Sequence, residues 1–177
     1  MKKLIIFNFL ILSLVFNAYA NDAPNSQTAT EAKSQTENLV TFTPPKGWKS
    51  IPQEKLSPAV KALVVGEEKG HFPPSMCLAI EPFKGTLKDY LKIVKNINAN
   101  AKTEWKDLGK IKTKAGIASL SQFDEVSNFG TVRTMTTILV KNGNSYILSA
   151  TALQAEFPDF YKDFFNAMSS LEIITEQ

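Results

Sequence analysis

The sequence is poor in the residues from which many catalytic, metal and disulfide sites are built. It contains one cysteine, Cys77, one histidine, His71, and one arginine, Arg133, among 177 residues. A single cysteine excludes an internal disulfide, so either the fold is stabilised by its hydrophobic core or Cys77 pairs with another chain. One arginine leaves few groups for the bidentate phosphate and base contacts of specific DNA-binding proteins. We therefore expect no nucleic-acid partner.

Catalytic and cofactor motifs are also lacking. The sequence has no phosphate-binding loop, no serine nucleophile elbow, no paired-cysteine motif and no HExxH helix. His71 and Cys77 follow Glu67 and Glu68, but their spacing matches no nucleophile pair or metal site, and Cys77 falls in an apolar run. We predict no catalytic residue, no metal site and no cofactor. An enzyme would require polar residues from distant segments to converge in one cleft.

The one long apolar run lies at the start of the chain. Two lysines precede apolar residues 4–16, and the small residues Ala18 and Ala20 follow. This order is that of a secretory signal peptide, and the run is shorter than the roughly 20 apolar residues of a spanning helix. We predict that residues 1–20 are cleaved after Ala20. The product would be a soluble protein of the periplasm or the medium, with no transmembrane segment.

The mature chain would begin at Asn21, so it lacks the first-position cysteine of a lipoprotein. Loss of the two signal-peptide lysines takes 20 basic residues to 18, against 17 acidic residues, which makes the product nearly neutral. Residues 21–38 contain no large apolar side chain that would repay the cost of ordering the backbone, and we predict a flexible linker there. Residues 39–177 are long enough for a single globular domain.

The domain opens with a predicted strand and a predicted short helix. Residues 39–42 alternate as a strand that two prolines end, and Trp48 is expected to cover the edge of the core. Ser57 followed by proline is a typical helix start, and apolar residues at helical spacing continue to Gly66. We therefore predict a helix over 57–66.

A central strand and an amphipathic helix are predicted next. Residues 75–83 have a period of two with mainly apolar side chains on both faces, which favours a strand in the middle of a sheet. Thr86 and Asp89 have the spacing of a capping box, and apolar residues recur at helical intervals as far as Ile97.

The sequence of the second half of the domain predicts an antiparallel meander of strands. The predicted strands cover residues 105–113, 117–126, 131–141 and 145–153. Asn142-Gly143 is the strongest turn signal, because a tight hairpin needs left-handed backbone at both central residues. Residues 157–168 form a helix whose aromatic face is typical of packing on a sheet, and residues 171–173 add a last strand.

Turn glycines, core aromatics and strand residues follow one another in a defined order along the domain. They are Phe42, Pro45, Gly47, Trp48, Gly116, Ala118, Gly130, Arg133, Asn142, Gly143, Tyr146, Ser170 and Leu171, with a phenylalanine-rich helix before the last two. This order resembles the PsbP-like superfamily, which includes exported DcrB-like bacterial proteins. The resemblance covers about residues 39–174. It implies an α+β fold in which helices pack on an antiparallel β-sheet in an α/β/α arrangement.

The resemblance implies binding rather than a reaction. The superfamily includes photosystem accessory subunits, a Ran-GTPase-binding nuclear factor and exported proteins, and it carries no common catalytic centre. The lack of a lipoprotein cysteine separates this chain from many bacterial relatives. We expect a non-catalytic accessory protein that binds another envelope protein. The alternative is a small-ligand or lipid-binding module with its cavity between the 157–168 helix and the sheet.

Two sets of lysines are candidates for the binding surface. Lys84, Lys88, Lys92 and Lys95 recur at helical intervals, and Lys110, Lys112 and Lys114 alternate along one strand. Each lysine would contribute about 1 kcal/mol near an anionic membrane or an acidic protein. A solvated helix face and a lysine-protected edge strand explain the same patterns without a partner. The loop around His71 completes the candidate surface.

Overall fold

The computed structural model describes residues 39–67, 72–101 and 103–174 of the chain. The predicted signal peptide, the predicted linker and His71 lie outside these ranges. Nine strands and two α-helices occur within them: β1 Leu39–Thr41, β2 Lys49–Ser50, β3 Val60–Val65, β4 Ser75–Pro82, α1 Leu87–Asn100, β5 Glu104–Thr113, β6 Gly116–Ser127, β7 Gly130–Lys141, β8 Asn144–Leu153, α2 Phe157–Ser169 and β9 Glu172–Ile174. A short 3-10 helix covers Gln53–Lys55.

Seven of the strands form one antiparallel sheet in the order β2-β3-β4-β8-β7-β6-β5, and β1 pairs separately with β9. Strands β5 to β8 are the predicted meander. Asn142 and Gly143 have φ angles of 52° and 75°, so the predicted left-handed turn joins β7 to β8. Strand β4 lies between β3 and β8, which agrees with its two apolar faces, and β5 is an edge strand.

The predicted helix over 57–66 is wrong, because Val60–Val65 form strand β3. Ser57 does begin a turn, since its carbonyl accepts the Val60 N–H at 2.9 Å, but the chain then extends. Val64 joins the core beneath α2, whereas Leu63 packs with Cys77 on the other face. A segment that is buried on both faces of a sheet favours β-branched residues in a strand. The local sequence pattern cannot show that burial, because it depends on residues elsewhere in the fold.

One helix covers each face of the sheet. Helix α2 buries Phe164 and Met168 in the larger core, which includes Leu148 of the central strand β8. Helix α1 buries Tyr90 and Val94 against the opposite face. The helices therefore enclose the antiparallel sheet in an α/β/α arrangement, and the predicted α+β class is confirmed.

Trp48 covers the edge of the larger core, as expected. Its ring makes edge contacts with Phe160 and Phe164 of α2, at centroid distances of 6.3 and 5.8 Å. Gly66 lies against the same indole, where a Cβ atom would be 2.7 Å from Trp48 Cε2. The glycine is therefore explained by the close approach of Trp48, since any larger residue would displace the ring.

The predicted capping box begins α1. The Thr86 hydroxyl accepts the Asp89 N–H at 3.2 Å, and the Asp89 carboxylate accepts the Thr86 N–H at 3.2 Å. Replacing Thr86 by alanine is expected to cost about 1 kcal/mol of stability, because one N–H of the first turn loses its acceptor. Thermal unfolding followed by circular dichroism measures the effect. Thr86→Ser keeps the hydroxyl and should stay close to the wild type; equal melting temperatures for the alanine and serine variants would contradict a capping role.

Candidate functional site

The structure divides the predicted lysines between two sides of the sheet. Lys88, Lys92 and Lys95 are exposed on α1, and Lys84 is exposed just before it. Lys114 follows β5 and forms a salt bridge of 3.3 Å with Glu172. That contact joins Lys114 to β9, whose Ile173 packs on the α2 side of the sheet.

Lys110 and Lys112 of β5 lie on the same side of the sheet as α1. Lys110 pairs with Ser119 of β6, which in turn pairs with Ile138 of β7. Side chains of directly paired residues lie on one face, and Ile138 packs against Val94 of α1. Lys112 follows two residues later and shares that face. Because β5 is two strands from β7, its lysines lie about 10 Å to the side of this contact.

Helix α1 directs its lysines toward β5. At about 100° per residue, Lys88, Lys92 and Lys95 fall within about 60° of one another around the helix axis. Lys95 shows that this side of the helix faces β5, because its Nζ lies 5.2 Å from the ring centre of Trp105 in that strand. We define Lys88, Lys92, Lys95, Lys110 and Lys112 as the α1–β5 lysine surface.

No lysine of the α1–β5 lysine surface forms a salt bridge with a residue in the described ranges, although Lys88 and Lys92 lie near enough to Asp89 to help lower its pKa. Salt bridges there involve Lys106, Lys114 and Arg133 instead. The one acidic side chain of α1, Asp89, is held by Thr86, and this hydrogen bond is the main reason that the pKa of Asp89 lies below its usual value. Asp107 accepts the N–H of Gly109 within a bulge of β5, at 2.9 Å.

A small cavity lies beneath the C-terminal half of α1. Its volume is about 10 Å³, and its walls are Val94, Asn98, Trp105, Ser121, Phe123, Thr136 and Ile138. The Asn98 amide donates to the Val94 carbonyl at 2.8 Å, and the Thr136 hydroxyl bonds the Ser149 hydroxyl at 3.1 Å. The indole N–H of Trp105 is buried and has no acceptor among the described residues. The sequence predicts only that Trp105 begins a strand, because no local signal shows what covers its indole.

The aromatic face of α2 is packed by rings. The ring centres of Trp48, Phe157 and Phe160 lie 5.2–5.8 Å from that of Phe164, which is fully buried. These are normal contact distances for aromatic pairs. The cavity described above lies on the opposite face of the sheet from the place where the small-ligand alternative expects one.

Arg133 forms an ion pair with Asp124 within the fold. Its Nε and Nη2 donate to the two carboxylate oxygens of Asp124, both at 2.8 Å, and Gln154 donates to the same carboxylate at 2.8 Å. The hydrogen bond from Arg133 lowers the pKa of Asp124, and the carboxylate raises the pKa of Arg133. This arrangement joins β6, β7 and the residue after β8 beside Phe157 of α2.

The nucleophile and metal chemistry considered for Cys77 has no support in the described ranges. Cys77 is 5% exposed, and desolvation raises the pKa of its thiol to about 12, so the thiolate is scarce near neutral pH. No group of three histidine, cysteine, aspartate or glutamate residues in the described part of the chain could hold a metal ion. None of the helices described combines the length and the apolar character needed to cross a membrane.

Comparisons with known proteins find similarity in structure and none in sequence. No protein-family model matches the chain, and no curated protein matches it. The cyanobacterial PsbP protein CyanoP of Synechocystis sp. PCC 6803 is similar with a TM-score of 0.50 and 13% identity, over 87% of this chain and 98% of CyanoP. LpqN, described as involved in cell envelope biogenesis of Mycobacterium tuberculosis, has a TM-score of 0.55 and 16% identity, over 76% of this chain and 83% of LpqN.

A third similar structure is the Ran-binding protein Mog1p of Saccharomyces cerevisiae. Its TM-score is 0.50 and its identity 14%, over 76% of this chain and 90% of Mog1p. These likenesses confirm the predicted PsbP-like fold. At such low identities they concern the fold, which does not by itself determine function.

Proposed function

We propose that this protein is a non-catalytic accessory protein of the bacterial cell envelope, which binds an acidic region of another envelope protein through the α1–β5 lysine surface. The observation that carries the proposal is a set of five exposed lysines on one face, none of them in a salt bridge with a described residue. The predicted mature chain is nearly neutral and would have no general attraction for anions, so a local concentration of positive charge outside salt bridges favours a specific acidic partner.

The location and the type of activity have separate support. The predicted signal peptide would export the chain, and the structural neighbour LpqN is involved in cell envelope biogenesis. The neighbour Mog1p is a Ran-binding protein. The buried thiol of Cys77 and the packed aromatic face of α2 offer no reactive group that would favour an enzyme.

Three predicted binding residues differ in their relation to this surface. Lys84 is exposed next to the first turn of α1 and extends the surface toward the start of the helix. Lys114 forms a salt bridge with Glu172 on the other side of the sheet, so it is not part of the α1–β5 lysine surface. His71 lies outside the described residues and stays a prediction.

Charge reversal on α1 is expected to abolish most of the partner binding. Three exposed lysines contribute about 0.5–1 kcal/mol each to an ionic contact, so the K88E/K92E/K95E variant should bind at least about tenfold more weakly. To identify the partner, the full precursor is produced in its own host. Intact cells are then treated with a zero-length carbodiimide reagent, which joins lysine amines to carboxylates in direct contact. We expect cross-linked peptides that join lysines of the α1–β5 lysine surface to acidic residues of one protein.

A matched variant controls for charge alone. K46E/K49E/K162E makes the same charge change at exposed lysines near β2 and on α2, and it should keep the cross-link. Binding of the purified pair should also weaken as ionic strength rises, because exposed charges are screened within about 10 Å at 0.1 M salt. Equal loss in both triple variants would contradict a specific surface. Binding to anionic lipid vesicles in place of a protein would assign the lysines to a membrane.

A further inference from the structure

Trp105 connects the α1–β5 lysine surface with the cavity beneath α1. Its indole lines the cavity, and the ammonium of Lys95 lies 5.2 Å from the centre of the same ring. Lys95 is exposed and Trp105 is partly exposed, so the cavity borders the solvent-facing lysines. One aromatic side chain is therefore shared by a charged surface and a buried space.

A residue of the cavity wall carries a hydrogen-bond donor without an acceptor among the described residues. The Trp105 N–H is buried, and no described residue accepts its hydrogen bond. A buried donor left in this condition costs about 1–3 kcal/mol relative to one that is satisfied. Indole nitrogen can only donate, so the group that satisfies it must be an acceptor. The wall also contains the polar residues Asn98, Ser121 and Thr136.

The size of the cavity restricts what can enter. Its volume of about 10 Å³ corresponds to roughly one water-sized group. A single oxygen atom at the end of a side chain meets this limit, whereas an aromatic ring, a sugar or a lipid chain does not. Lys95 above the indole favours an oxygen that carries negative charge.

We propose that this cavity is a recognition notch, in which one carboxylate oxygen of an acidic partner residue accepts the Trp105 N–H while Lys95 pairs with the same carboxylate. The inference rests on the proposed function, and it deepens that function by assigning the partner a particular contact. The remaining lysines would attract acidic side chains in general, whereas the notch would select one that reaches beneath α1. Trp105 is then a specificity-determining residue of the surface.

The indole N–H resonance of Trp105 tests the notch directly. The sequence has two tryptophans, so protein purified from its host after growth with ¹⁵N-indole tryptophan gives two indole signals, which Trp48→Phe assigns. Hexaglutamate is titrated as the probe, with hexaglutamine as the uncharged control. We expect the Trp105 signal to move saturably with hexaglutamate, the Trp48 signal to stay, and hexaglutamine to move neither. Trp105→Phe should weaken hexaglutamate binding about tenfold, whereas Trp48→Phe should not change it.

The outcomes separate the notch from the lysine surface. If hexaglutamate binds the wild type and not K88E/K92E/K95E while the Trp105 signal stays, the notch is overturned and the acidic-partner proposal stands. A Trp105 signal that moves equally with hexaglutamine would show that the cavity takes any polar group, which also overturns the notch. If hexaglutamate binds neither protein, both proposals fail.

Discussion

Replacing Phe164 by alanine is expected to lower the free energy of unfolding by about 3–5 kcal/mol. Phe164 is fully buried, and its ring contacts Trp48, Phe157 and Phe160. The substitution removes apolar surface from the core and leaves a hole beside the rings of Trp48, Phe157 and Phe160, which α2 cannot close without breaking its other core contacts. Urea unfolding followed by far-ultraviolet circular dichroism measures the loss.

Phe165 provides the matched control on the same helix. It is 38% exposed and stacks only on Tyr161 among the ring contacts described. Phe165→Ala should therefore cost within about 1 kcal/mol. A similar loss for the two alanine variants would contradict the conclusion that α2 is stabilised by its buried aromatic face.

Replacing Asp124 by alanine is expected to cost about 2–3 kcal/mol at neutral pH. The change leaves Arg133, which is 24% exposed, and Gln154 without the carboxylate that both contact at 2.8 Å. Urea unfolding at pH 7 measures this loss. Asp163→Asn, at an exposed position on α2, controls for the removal of one negative charge and should change stability by no more than about 0.5 kcal/mol.

The same carboxylate makes stability depend on pH with a defined sign. The hydrogen bond from Arg133 holds the pKa of Asp124 in the folded protein below its usual value. The contribution is therefore fully present above the pKa of the unfolded chain, near 4, and is lost as the pH falls through the lower folded value. The difference in unfolding free energy between the wild type and Asp124→Asn should shrink as the pH is lowered from 5 toward 2. A difference that is constant over this range would contradict the assignment.

Most of the secondary structure could be predicted because its signals are local. The Thr86 capping box, the Asn142-Gly143 turn and the period of two in β4 each depend on residues within a few positions. Segment 57–66 fails for the opposite reason. Its turn at Ser57 is real, but the choice between helix and strand is made by β4, which pairs with it and whose sequence lies further along the chain.

The lysine surface shows the same limit. The predicted rows of exposed lysines on α1 and at Lys110 and Lys112 are confirmed, whereas Lys114 lies beyond the end of β5 and does not continue the row. The sequence could not show that Lys95 and Lys110 would lie on one side of the sheet. That proximity depends on the pairing of β5 with β6 and of β6 with β7. It also depends on the packing of α1 against Ile138. The sequence also could not show that Lys114 forms a salt bridge whereas Lys112 does not. Glu172 reaches Lys114 only because the chain returns through α2.

The pairing of β1 with β9 has a consequence for how the chain is made. Leu39 lies opposite Ile174, and β4 pairs with β8 from Ser75 opposite Thr151 to Pro82 opposite Asn144. A ribosome that has completed β4 must still synthesise α1 and three more strands before β8, the second partner of β4, is made. The β4–β8 pair must wait until residues 144–153 have been made, and the β1–β9 pair until residues 172–174 have been made. Sequence-distant pairing of this kind slows folding, a property compatible with the predicted export of this chain through a channel that admits unfolded polypeptides.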